Sequence, residues 1–219
     1  GNLILGGGIW LNTQRPEWND ANNALVGQGI SVVTLCYMRR YSKFLINLLS
    51  SADNNVSLSK EVATWLAGTS EILAQAAIHI NANNVDESVQ WVITNQLGEL
   101  ASWYRQTVYN KQSFSGKTSV AIADIVSMLH HAQVALDFTI RANQMANGMF
   151  HAYNLLSLSD DNLTIDNLYP MLEGQVAALS SGYLDAVQAH RVLESLFASN
   201  IYRADQQSFM LYPERDLPS

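Results

Sequence analysis

Apolar residues recur at helical spacing along most of the chain. From Ala21 to about Leu49 they fall at Val26, Ile30, Val33, Tyr37, Phe44 and Leu48, which predicts a first helix. A second is predicted from Ser57 to Asn81, with Val62, Trp65, Leu66, Ile72, Leu73 and Ala76 on its apolar side. A third, Asp86 to about Tyr109, uses Val89, Val92, Ile93, Leu97, Leu100, Trp103 and Tyr104. A fourth runs from Ser119 to Asn147, where Gly148 ends it, and a short helical stretch continues to Leu156. Two shorter helices follow, from Pro170 to Leu179 and from Leu184 to Phe197; Pro170 suits a first helical turn, where its missing N–H costs nothing. Polar breaks at 50–55, 81–84, 111–117 and 157–168 separate these segments. Residues 1–19 read as a loop and residues 200–219 as an irregular tail. No segment reads as a sustained β alternation, so the pattern predicts one all-α domain over residues 1–219.

Composition narrows the function. The 219 residues carry 12 Lys+Arg against 19 Asp+Glu, a formal net charge of −7. No basic face is available to neutralise phosphates, which argues against nucleic acid as a partner. Charged residues are 14% of the chain, where about 25% is usual, so large faces are expected to be covered. No apolar run reaches the ~18 residues a membrane span needs, and a membrane is not an expected partner. The single cysteine, Cys36, excludes an internal disulfide and reads as a small core residue. No metal or organic cofactor is implied. His130 and His131 are adjacent and diverge on a helix, while His79, His151 and His190 are isolated. Ser115-Gly116-Lys117-Thr118 copies the end of a phosphate-binding loop, but its first glycine would fall at Lys111. Trp65, Trp91 and Trp103 lie on apolar helix faces and read as core.

The chemistry concentrates between Thr13 and Gly27. Arg15, Glu17, Trp18, Asn19 and Asp20 come together within six positions, followed by Asn22 and Asn23. An indole face stacks on the C–H face of a sugar ring, and amides and carboxylates bond its hydroxyls. An acid there can protonate a leaving oxygen if its pKa is raised. The plain structural alternative is that Asp20 caps the following helix.

Trp18-Asn19-Asp20, after a glycine-rich lead, resembles the catalytic loop of cellobiose-phosphorylase-like glycosidases, part of the six-hairpin (α/α)6 group. That family reads Asp-Trp-Asn-Asp, whose last Asp is the general acid; this chain has Glu17 at the first position. The resemblance implies Asp20 as acid, Trp18 as sugar contact, and Arg15, Glu17, Asn19, Asn22 and Asn23 as substrate-binding or acid-orienting groups. It implies inverting hydrolysis, or phosphorolysis with inorganic phosphate as co-substrate, on an oligosaccharide or glycoside. A hydrolase needs a second carboxylate to activate water. Glu173 is the first candidate, because it follows the apolar Tyr169-Pro170-Met171-Leu172 run; Asp205 and Glu214 are others. A full toroid needs about twice this length, so the chain is expected to form about half of one, with the remainder of a longer parent as partner. The alternative from the same fold is a non-catalytic helical scaffold or a sugar-binding module.

Overall fold

The computed structural model describes residues 1–11, 25, 27–52, 54–111 and 113–214. It is mixed α/β, 54% helical and 18% strand, with a five-stranded antiparallel sheet. This overturns the all-α expectation, and with it half of an (α/α)6 toroid. Nine short strands and six helices lie among the described residues. The strands were hidden because most have two to five residues and several run without a break into a helix. Over so few positions the twofold alternation of a strand is masked by the 3.6-residue period that follows it.

The chain divides into two compact units. The first holds 1–5, 41–138 and 158–163. Within it β4 (Asn55–Ser59) pairs antiparallel with β5 (Lys117–Ala121), from Asn55↔Ala121 to Ser59↔Lys117. Each strand feeds a helix: α2 (Lys60–Asn81) follows β4, and α4 (Ile122–Ala142) begins after β5. Ser59 makes the first junction, its side chain accepting the amide of Val62 as an N-cap. Leu66, Leu73, Ala76 and Ile80 line the buried side of α2, and α3 (Glu87–Lys111) adds Ile93 and Leu97 against Ala76. Leu73 and Ile80 also pack with Leu5 and Ala135. The phosphate-loop look-alike lies here: Lys117 opens β5 rather than a helix, and the start of α2 is already engaged with that turn, the Lys60 amide donating to the Gly116 carbonyl at 3.0 Å. Trp103, expected in the core, is exposed.

The second unit holds 6–40, 139–157 and 164–219. β2 (Gly8–Trp10) pairs with β3 (Gly29–Ser31), which pairs in turn with β6 (Tyr153–Leu158), all antiparallel. β7 (Leu163–Asn167) is the neighbour of β6. Within the helix predicted from Ala21, Gly29–Ser31 is the strand β3 and α1 (Val32–Leu49) follows it directly, and the helical stretch to Leu156 is β6. After β7 come α5 (Leu172–Ser180), α6 (Ala186–Phe197) and a hairpin of β8 (Tyr202–Arg203) and β9 (Ser208–Phe209) in what reads as an irregular tail. The glycine run of the loop-like N-terminus is a tight turn into β2. Gly6 has φ +83°, and a Cβ on Gly8 would lie 2.8 Å from the Ser31 carbonyl oxygen, so only glycine fits there.

That turn is held by buried amides. Asn143 donates to the carbonyls of Gly6 (3.1 Å) and Thr139 (2.8 Å). Asn154 donates to the carbonyl of Gly7 (2.8 Å) and to Oδ1 of Asn143 (2.7 Å). Asn167 donates to Oδ1 of Asn154 at 2.8 Å. Asn143 and Asn154 are fully buried, and a turn carbonyl buried without such donors would cost about 1–3 kcal/mol. This chain of side chains ties the turn to β6 and β7.

Candidate functional site

The strand β2 delivers the chain to Leu11, and residue 25 returns it. Leu11 donates its amide to the Gly29 carbonyl at 2.8 Å, and the Gly27 amide donates to the Leu11 carbonyl at 2.8 Å. Trp10 Nε1 donates to the Gly27 carbonyl at 3.0 Å. Gly27 has φ +85°, a conformation that favours glycine. Its place in the predicted helix is thus a turn that closes the base of the intervening segment.

Both anchors land on one cluster. Leu25 packs with Ala152, Tyr153 and Met171, and Leu11, Leu168 and Tyr169 pack around them. The candidate residues Arg15, Glu17, Trp18, Asn19, Asp20, Asn22 and Asn23 lie between these anchors, outside the described residues.

The candidate bases Glu173, Asp205 and Glu214 are described, Glu173 being the first of them. It sits in the first turn of α5, half-buried. Gln175 docks that turn: its Oε1 accepts the Phe150 amide at 2.8 Å, and its Nε2 donates to the Phe150 carbonyl at 2.7 Å. Gly174 lies against the backbone of Ala152, where a Cβ would come within 3.0 Å of its Cα. This close approach sets Glu173 beside Tyr153, whose hydroxyl donates to the carboxylate. Burial pushes the Glu173 carboxyl above its ordinary value, and the Tyr153 hydrogen bond offsets part of the rise. A carboxylate with a raised pKa is a stronger base whenever it is ionised, which suits proton abstraction from water.

The other candidate bases differ. Asp205 is gripped by Arg203, with Nε at 3.0 Å from one carboxylate oxygen and an Nη at 2.9 Å from the other. The guanidinium holds its carboxyl below the usual range, so Asp205 is a poor base. Glu214 is exposed.

Sequence reasoning missed Tyr153 and His151. Tyr153 fell within a predicted helical stretch, and only the strand register brings it to Glu173. His151 stands next to the cluster, its Nδ1 2.8 Å from the Leu168 carbonyl. A carbonyl accepts only, so Nδ1 carries the hydrogen and Nε2 is left as an acceptor in the neutral ring. Among the described residues no group of three or more His, Cys, Asp or Glu could hold a metal ion. No helix among them is long and apolar enough to cross a membrane. No family model matches the sequence, and no curated protein matches it.

Proposed function

We propose that this chain acts on glycosidic bonds by inverting hydrolysis, with Asp20 as general acid and Glu173 as general base. The observation that carries the reading is the cluster around Tyr153: both anchors of the segment that contains Asp20 belong to it, and the Tyr153 hydroxyl donates to the carboxylate of Glu173. The reading rests on these residues and not on a helical toroid.

In the reaction, Glu173 takes a proton from water as the water oxygen bonds the anomeric carbon. The bond from that carbon to the leaving oxygen breaks on the opposite face, and Asp20 gives that oxygen its proton. The two carboxyls of such a pair stand ~6.5–9.5 Å apart, leaving room for the water. Trp18 stacks on the sugar ring, while Arg15, Glu17, Asn19, Asn22 and Asn23 bond its hydroxyls or orient the acid. Phosphorolysis would use inorganic phosphate as the nucleophile and leave Glu173 without a role; a half-buried carboxyl with a raised pKa favours water.

The test is a panel of oligosaccharides and aryl glycosides, with and without phosphate. The expected result is release of reducing sugar that does not depend on phosphate. Asp20→Asn and Glu173→Gln are each expected to lower it by about 100-fold or more. Unchanged turnover in Asp20→Asn removes that residue from the acid role. Phosphate-dependent turnover that survives Glu173→Gln assigns phosphorolysis instead. Saccharide binding that needs Trp18, with no turnover, leaves a sugar-binding module.

A further inference from the structure

Helices α2 and α3 of the first unit pack antiparallel. A Cβ on Gly68 would lie 2.8 Å from a methyl of Leu100, the Trp65 and Tyr104 rings stand 6.1 Å apart, and Ala76 packs with Ile93 and Leu97. Each step forward along α2 is thus matched by a step back along α3, which sets Glu71 level with Glu99. Between the two helices runs a groove of about 520 Å³. Half-buried Gly68, Ile72 and Leu100 line its floor. Exposed Glu71 stands on one wall, and exposed Glu99 and Trp103 stand on the other. The lining recurs at three- and four-residue steps on each helix, so the groove follows the helix axes. Among the described residues no Lys or Arg lines it, and neither carboxylate meets a cation. The Asn95 amide donates to Glu99 at 3.2 Å. The Trp103 indole is 40% exposed at one end of the groove.

We propose that this groove docks one amphipathic helix of a partner protein, with an apolar seam bordered on both sides by Lys or Arg. Two helix ridges with an apolar floor between them form the seat of a third helix, whose own ridge fills the groove. The charge selects the partner. A carboxylate stands on each wall, so a basic residue on either border of the docked helix finds one, and the net charge of −7 draws the same partner toward the chain. Trp103 supplies the kind of aromatic contact on which such interfaces concentrate their binding energy. A twofold contact with a second copy fits poorly, because it lays groove against groove and sets Glu71 and Glu99 against their own equivalents. Every residue of the groove belongs to the first unit, and the inference is independent of the glycosidic reading.

The probes are two designed helical peptides of about 20 residues, long enough to hold a helix. Both carry Leu along the seam, one with Lys and the other with Glu at its borders. The full chain is titrated with each, and binding is read by fluorescence anisotropy. The Lys-bordered peptide is expected to bind at least about tenfold tighter than the Glu-bordered one. Trp103→Ala, checked for unchanged circular dichroism, should weaken it by about tenfold or more. Glu71→Lys with Glu99→Lys should invert the preference between the peptides, a result that lost folding cannot produce. Equal binding of both peptides, or none, overturns the proposal. So does concentration-dependent self-association that Trp103→Ala abolishes, which assigns the groove to a second copy. Choline binding that Trp103→Ala abolishes, without a preference between the peptides, assigns it to a small organic cation and overturns the proposal as well.

Discussion

Tyr153 stands opposite Ser31 in the sheet and donates its hydroxyl to the carboxylate of Glu173. Burial raises the Glu173 pKa and this hydrogen bond opposes the rise, so Tyr153→Phe should move the titration of Glu173 further up. A carboxyl whose native pKa lies above its unfolded value contributes stability at low pH and loses it as pH rises through the native value. Glu173→Gln should therefore gain stability relative to wild type as pH is raised from 4 to 8. Side-chain carboxyl NMR checks the first outcome and urea denaturation at both pH values checks the second. A Glu173 titration that stays put in Tyr153→Phe would show that the hydroxyl does not tune it.

The asparagine chain carries a measurable load. Asn143→Leu removes donors from the Gly6 and Thr139 carbonyls and an acceptor from Asn154. The expected loss is about 2–4 kcal/mol of unfolding free energy, from buried polar groups left without partners. Asn154→Ala should cost a similar amount. The double variant should cost less than the sum, because the two side chains bond each other. Full additivity in urea denaturation would mean that they act separately.

Acid should loosen the turn at Ser115 before the unit unfolds. Glu61 Oε1 accepts the Ser115 amide at 2.9 Å, and Lys111 Nζ lies 3.9 Å from the same oxygen. Hydrogen bonds from Ser115, side chain foremost, hold the Glu61 carboxyl below its ordinary value of 4.5, with Lys111 adding to the effect. Stability from such a group is present above the unfolded pKa and disappears as pH falls through the lower native one. The Ser115 amide shift should titrate below pH 4.5. Glu61→Gln should flatten that titration, and a midpoint at or above the ordinary value would refute the contact.

Cys36 should be inert in the native protein. It is fully buried, and burial pushes its thiol up to about 12, against the opposing charge of Arg39. Since the thiolate is the reactive form, a disulfide reagent at pH 8 should label the urea-unfolded chain at least about 100-fold faster than the folded one. Comparable rates would place the thiol at the surface.

The helices were readable because 3.6-residue periodicity persists over 20 residues: Leu66, Leu73 and Ala76 line one side of α2 as their spacing predicts. The strands were not. Val56 and Leu58 alternate with Asn55, Ser57 and Ser59, yet five residues end before the pattern outweighs the helix that follows. Tyr153–Leu158 mixes polar and apolar side chains, and its strand character comes from pairing with Gly29–Ser31, more than 120 positions earlier. The site was half legible for the same reason. An acid after Tyr169-Pro170-Met171-Leu172 announces partial burial locally, whereas its partner at Tyr153 is a product of register. Asp205 carried its cue locally, since Arg203 stands two positions before it and grips it in the β8–β9 turn.

The groups that fix the glycine turn are neutral, side-chain amides together with the Thr139 hydroxyl that accepts the Gly6 amide. They neither gain nor lose a proton over the range where Glu173 ionises, and salt has no charge among them to screen. The scaffold under Leu11 can therefore keep its shape while the carboxyl beside it changes state. A titration of this protein should read out as chemistry on a fixed frame, and loss of function at the extremes of that range should reverse on returning the solution to neutrality.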